Sequence, residues 1–395
     1  MKISFQINVL WAAMIMSAAS LLQAQQVTPV HNQTLLNAAQ GTIVELPGFP
    51  FEKITSIPYQ KVVMPGPQYL MSDDPEYIRV PEGIALKEVV QPGAIRLYVY
   101  NVNGIKEPQH IDRKITAVIK NLGMTPMHIR MLKYSSQKPS TNYFQIGKKG
   151  LADYFASIPE NKVRAVKPGE AIAIDEQLEK NVVKYDELTH GIYEFVIDQP
   201  GEVNVIQTGL TASGPMALKR IKTVLPSGKK NAGRGLFGVS NYGVYTDSVF
   251  DTRNGPAAIV VADGKTDPWI IGKESSSMGL SKLAGNYGVM YDIEMKWKST
   301  DGKGLALVSW NARAGDNQWC GGMANTMMVS EGKFKEGIIQ LPSNALRTKG
   351  APEVILIQVF LPSKNGKEQT IRLTYSPPGA SCLPTPLLFI PIGIE

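Results

Sequence analysis

The sequence predicts an all-β protein of two β-sandwich domains, immunoglobulin-like or jelly-roll-like, with one short helix. Three observations carry that expectation. Ile95, Leu97 and Val99 alternate with Arg96, Tyr98 and Tyr100, the two-residue period of a strand with one buried face, and the pattern recurs along the chain. Clusters of Gly, Pro and Asn separate these stretches at the intervals a sandwich needs. Only residues 149–158 show a clear helical spacing, with Leu151, Tyr154, Phe155 and Ile158 on one face.

At 395 residues the chain is long enough to bury two cores. Residues 1–24 belong to neither: Lys2 precedes an uncharged, largely apolar run over 9–22, and Ala24 offers a small residue for cleavage, the layout of a secretory signal peptide. That run is short for a membrane anchor, and no other stretch reaches about 18 apolar residues. The expectation is an exported chain, periplasmic, cell-surface or extracellular, whose mature form has no transmembrane span. No Cys lies near the cleavage point, which excludes lipid attachment there.

The first domain is expected over 25–210. Pro and Gly dominate its beginning and allow only short strands, near 42–46, 59–64 and 84–90. Residues 95–101 and 113–120 alternate cleanly, Asn121 to Pro126 supplies turn chemistry, and Met127, Ile129 and Met131 resume the alternation, so an antiparallel hairpin is expected there. Further strands are expected at 171–174, 191–197 and 202–208.

Residues 211–240 read as a basic Gly/Pro-rich linker. The chain carries 41 basic and 34 acidic residues, a net +7, and loses one positive charge with the signal. Between Glu202 and Asp247 there is no acidic residue, whereas Lys219, Arg220, Lys222, Lys229, Lys230 and Arg234 all fall there, so six cations equal the whole mature surplus. The second domain is expected over 241–395, with Val289, Tyr291, Ile293, Met295 and Trp297 on one inward strand face, a return strand at 305–310 and a further pair at 354–361 and 369–375. The two cysteines, Cys320 and Cys382, are expected to form a disulfide in an oxidising compartment.

Leu97 to Asn101, the Asn121-x-Gly123-x-x-Pro126 turn, Tyr154-Phe155, Pro168-Gly169-Glu170 and above all Gly285 to Tyr291 resemble a group of exported bacterial proteins of unassigned activity. Some members carry a stalk domain named after the copper amine oxidase N-terminus, of which this chain shows no sign. The resemblance spans about residues 95–291 and implies an envelope or extracellular β-protein. It brings no catalytic residue with it.

Catalytic and metal chemistry finds little footing. Of the four histidines, His110-x-Asp112 sits in a turn, His128 alternates with apolar Met127 and Ile129, His190 precedes Gly191 at an expected strand start, and His31 stands alone. None has the short spacing of a metal site. No Gly-x-Ser-x-Gly elbow occurs, and residues 228–235 lack the Lys and Ser or Thr of a phosphate loop. Asp73-Asp74, Asp175-Glu176 and Asp186-Glu187 are carboxylate pairs by composition only. Trp269, Trp297, Trp310 and Trp319 gather in the second half, where core packing competes with sugar stacking as their role. The expectation is a non-catalytic envelope or matrix protein, without metal or cofactor, whose six cations bind an acidic polysaccharide or another surface component. Nucleic acid is not an expected partner. The competing class is a secreted glycoside hydrolase or lyase on the same scaffold.

Overall fold

The computed structural model describes residues 27–106, 110–227, 233–310, 325–342 and 353–394. The expected signal peptide therefore lies outside the described residues. Within them the chain is mostly strand, arranged in four sheets. The fold class read from the sequence is the one observed.

A four-stranded sheet runs in the order Ala171–Ala173, Lys114–Asn121, Gly201–Thr208, Gly83–Val90. It faces a nine-stranded sheet whose central strands are Met127–Ser136, Leu188–Ile197, Gly93–Asn103 and Gln68–Ser72. Leu97, Val99, Ile115, Ile119, Phe195 and Val205 fill the core between them. Fully burying each such side chain contributes about 1.5–3 kcal/mol. The segment from Asn121 to Pro126 is not a hairpin turn, because its flanking strands lie in different sheets. It crosses from one layer to the other, and alternation cannot tell the two cases apart, since either keeps the apolar side inward. Asn121 fixes the corner: its Oδ1 accepts the Gly123 N–H at 2.7 Å and its Nδ2 donates to the Val166 carbonyl at 2.9 Å.

The second sandwich sets a six-stranded sheet, with Glu353–Phe360, Gly304–Ser309 and Thr385–Ile392 at its centre, against a seven-stranded one built around Met290–Lys298 and Gln369–Tyr375. Trp297, Tyr291 and Ile293 point into the layer between them, as their spacing predicts. The pairing does not follow the expected domain limits. Strands Ile43–Glu45, Thr55–Ser56 and Tyr59–Met64 join the second sandwich, whereas Arg234–Phe237, Ile271–Glu274 and Gly279–Lys282 extend the nine-stranded sheet.

At its central strand Gly93–Asn103 the nine-stranded sheet is buried on both faces. Tyr98 and Tyr100, expected on a solvated face, are 1% and 5% exposed and belong to the same apolar cluster as Tyr291, Trp297 and Phe389. The polar tip of Tyr98 is satisfied there, its Oη accepting the Gly379 N–H at 2.8 Å.

Four α-helices occur among the described residues where one was expected: α1 (Pro29–Asn37), α2 (Tyr143–Ala156), α3 (Glu176–Lys180) and α4 (Gly214–Arg220). Helices α1, α3 and α4 are too short to show a helical period and are set by the local caps Thr28, Asp175 and Ser213. Helix α2 starts six residues before the expected 149, and Ile158 falls beyond its end, 75% exposed. It is wedged between the nine-stranded and seven-stranded sheets, where Leu151, Tyr154 and Phe155 are buried. Its Lys148 is buried as well, donating to the Pro342 carbonyl at 2.6 Å, and burial lowers the ammonium pKa.

Candidate functional site

The expected basic linker contains a helix seated on the outer face of the four-stranded sheet. Ser213 caps α4 by accepting the Met216 N–H at 3.4 Å, and Pro215 suits its first turn because the missing N–H would be unpaired there anyway. Ala217 and Ile221 turn inward onto Ile84, Val118 and Ile206. Gly214 permits this approach: a Cβ there would lie 2.6 Å from Thr116 Cγ2 and 2.7 Å from Val118 Cγ2. Glu179 of α3 fastens the helix start, Oε1 accepting the Gly214 N–H at 2.9 Å and Lys114 Nζ at 3.1 Å, and Oε2 accepting the Thr116 hydroxyl at 2.7 Å.

The six expected ligand-binding cations are not one loop-borne set. Lys219 and Lys222 are exposed and carry no ion pair among the described residues. Arg220 is tied to Glu82, with Nη2 2.6 Å from Oε1 and Nη1 on Oε2, and to Thr208 at 3.2 Å. Chiefly through that hydrogen bond, the Glu82 carboxyl is held down at about 2. Lys229 and Lys230 lie outside the described residues.

Arg234 corrects the linker reading outright. It opens the strand Arg234–Phe237, pairs opposite Ser72 and is 2% exposed. Its Nη1 donates to the carbonyls of Asp74 at 3.0 Å and Leu225 at 2.7 Å, and its Nη2 to Glu274 Oε1 at 3.0 Å and to Ser276 Oγ. Burial pushes the Glu274 carboxyl up, but hydrogen bonds from Ser276 and Ser277 and the guanidinium outweigh it and hold the pKa at about 2. A guanidinium so enclosed has no donor left facing solvent. The glycines that made this stretch look like a loop serve close packing: Gly235 has φ 127°, and a Cβ on it would run into the Lys273 carbonyl.

The other sequence candidates have structural tasks. Asp175 caps α3 through the Leu178 N–H at 2.9 Å and also accepts from Ser136. Asp186 accepts from Tyr143 Oη at 3.2 Å, and Asp74 is buried beside Ser227. His31 bonds the Pro47 carbonyl at 2.9 Å, His110 stacks on Tyr185 with centroids 4.3 Å apart, and exposed His128 pairs with Asp198 at 2.7 Å. His190, expected as a turn residue at a strand start, lies inside Leu188–Ile197 with its ring fully buried. No cluster of three or more His, Cys, Asp or Glu side chains suited to a metal ion occurs among the described residues. Trp297 is core, Trp310 stacks on Phe51 at 4.4 Å, and Trp269 is half-buried with Lys282 Nζ 5.0 Å from its ring. Trp319 and Cys320 lie outside the described residues, while Cys382 is buried at 2%.

Sequence reasoning missed the buried cluster that joins the two halves. Arg96 bonds Glu194 Oε2 at 2.9 Å, the Ser240 carbonyl at 2.9 Å and Asn241 Oδ1 at 3.0 Å, and Tyr154 Oη donates to the same Glu194 oxygen at 2.7 Å. Its members come from four separate segments, so no local pattern marks it.

No family model matches the chain, and no curated protein matches it. Solved structures give only faint overlaps. The CUB1-EGF-CUB2 region of human MASP-1/3 is 9% identical, covers 84% of this chain and 99% of its own, and superposes with a TM-score of 0.18. Oxalate decarboxylase from Lactobacillus farciminis, in its formate complex, is 9% identical over 85% of this chain and 88% of its own, with a TM-score of 0.15. Vicilin from Capsicum annuum is 9% identical over 77% and 74%, with a TM-score of 0.12. Overlaps this weak carry no argument about activity.

Proposed function

We propose that this chain is an exported, non-catalytic envelope or matrix protein that binds an acidic polysaccharide or another anionic surface component through Lys219 of α4 and Lys222 just past its end. The supporting observation is that both stand exposed, without ion pairs among the described residues, on a segment held to the sheet by Ile221 and by the Thr223 carbonyl, which accepts the Ile84 N–H at 3.0 Å. Fixed cations lose less conformational freedom on binding than the same side chains on a mobile loop. Such contacts are screened by salt, over about 10 Å at 0.1 M and about 3 Å at 1 M ionic strength.

A glycan array probed at low and high salt tests the reading. Retention on uronate- or sulfate-bearing glycans is expected at low salt and not at high salt, and Lys219→Ala with Lys222→Ala is expected to weaken it about tenfold. Salt-independent retention, or retention indifferent to the double substitution, would sink it. Release of reducing ends from the same glycans would instead make the protein an enzyme. As an exported protein it should start at or near Gln25, and peptide mass mapping without reductant should recover Cys320 linked to Cys382.

A further inference from the structure

The nine-stranded sheet ends at one edge in a two-stranded hairpin, Ile271–Glu274 with Gly279–Lys282. Ile271 stands opposite Lys282 and Lys273 opposite Leu280, so all four share one face. That face is open: Ile271 is 52% and Leu280 86% exposed, and Met278 in the connecting turn is 93% exposed. Single exposed apolar residues need no explanation, but three on one hairpin, with two exposed lysines between them, form a surface of defined chemistry.

The turn that carries Met278 is built, and its acidic groups are turned away from the surface. Met278 has φ 53°, a left-handed conformation that a long side chain rarely adopts. Glu274, the hairpin's sole carboxylate, accepts the N–H groups of Ser276 at 2.9 Å and Ser277 at 3.0 Å as well as Arg234. Glu88 from the neighbouring sheet accepts the Ser275 N–H at 2.7 Å and the Ser275 hydroxyl. Both carboxylates are thus spent on holding the turn. Apart from Ser275, Ser276 and Ser277 of the turn, the exposed side chains of the hairpin are apolar or cationic.

We infer that this hairpin tip docks onto an anionic phospholipid surface, with Met278 and Leu280 entering the acyl boundary and Lys273 and Lys282 meeting headgroup phosphates. Interfacial elements of soluble proteins combine these two chemistries, apolar area for depth and cations for lipid choice. Other occupants fit less well. A peptide strand added to the edge would pair along Gly279–Lys282 and leave Met278, beyond the last paired residue, uncovered. A second copy meeting this face through a two-fold axis would gather four lysines with no outward-facing carboxylate of the hairpin to offset them.

The test is co-sedimentation of the full mature chain with vesicles of phosphatidylcholine alone and with vesicles also containing phosphatidylglycerol. Binding is expected to the second kind only. Met278→Ser with Leu280→Ser should lower partitioning about tenfold or more, and Lys273→Ser with Lys282→Ser should abolish the preference for the anionic lipid. All four positions are exposed, so each variant should keep the parental urea midpoint. No partitioning of the parent, or unchanged partitioning of Met278→Ser with Leu280→Ser, overturns the inference. So does a concentration-dependent dimer in sedimentation velocity that the same pair of substitutions removes.

Discussion

Arg234→Met is expected to cost about 3–5 kcal/mol of folding stability, read as a lowered urea midpoint at unchanged slope. The reason is that four acceptors lose their donor at once. The carbonyls of Asp74 and Leu225, the carboxylate of Glu274 and the hydroxyl oxygen of Ser276 all take hydrogen bonds from this one buried group. Leaving a buried charge and two buried carbonyls unpaired costs more than the ion pair itself is worth. Lysine should rescue little, because a compact ammonium cannot span acceptors on both sides of a planar fork. Replacing Glu274 by Met in the same chain should recover part of the loss, since no uncompensated carboxylate then remains. By contrast, Lys219→Ala and Lys222→Ala should each stay within about 0.5 kcal/mol. If Arg234→Met behaved like those two, the guanidinium would be solvated after all and the linker reading would return.

That contrast marks what the basic stretch discloses about itself. Its charge and its Gly and Pro content are local properties, and they are visible in the sequence. Whether a given cation is free depends on where the acids are. Glu82 lies 138 residues before Arg220 and Glu274 lies 40 after Arg234, so no window of the chain shows either pair. Only strand pairing brings them together. Lys219 and Lys222 stay exposed because no acid among the described residues arrives beside them.

The same division runs through the fold. The period of two at Leu97, Val99, Ile293 and Trp297 is set by backbone geometry and survives intact. What the period hides is the fate of the alternate residues. Arg96 and Tyr98 carry polar tips and read as solvated, yet both are buried because the second half of the chain supplies the Ser240 carbonyl, Asn241 and the Gly379 N–H as partners. An amphipathic side chain can bury its body wherever its tip is satisfied, so its pattern fits a wet face and an interior seam equally well. Corners are ambiguous for a related reason. Asn121 and Gly123 announce a change of direction, and a reversal within a sheet asks the same of the backbone as a crossing between sheets.

The seam also makes the fold sensitive to acid through one imidazole. His190 is fully buried, with Nδ1 2.9 Å from the Val99 carbonyl, so that nitrogen holds the proton and Nε2 faces the interior as a bare acceptor. Nε2 has no hydrogen-bond partner among the described residues. Gly150 of α2 backs the ring so closely that a Cβ would lie 2.5 Å from it, and the Tyr98 ring centroid is 4.9 Å away. Charging the ring would place a second N–H against apolar surroundings. Burial therefore pushes its pKa down to about 4, opposed only in part by the bond to Val99. In the unfolded chain the same ring titrates near 6.5, so between these values the unfolded state holds more protons and stability falls as pH falls. The full contribution is present above about 6.5 and is lost by about 4, a change of roughly 3 kcal/mol. Glu82 and Glu274, held near 2, lose their contributions as pH falls from about 4.5 towards 2, so the upper part of the acid limb belongs to the histidine. Glu88, which burial pushes up, acts in the opposite sense but equally in any His190 variant. His190→Asn keeps a donor near the place of Nδ1 and removes the titration, so urea midpoints measured between pH 7 and about 4.5 should fall less steeply for the variant than for the parent. Parallel curves would mean that the imidazole is already charged or already wet in the folded protein, and that the two sandwiches do not close on each other around Tyr98.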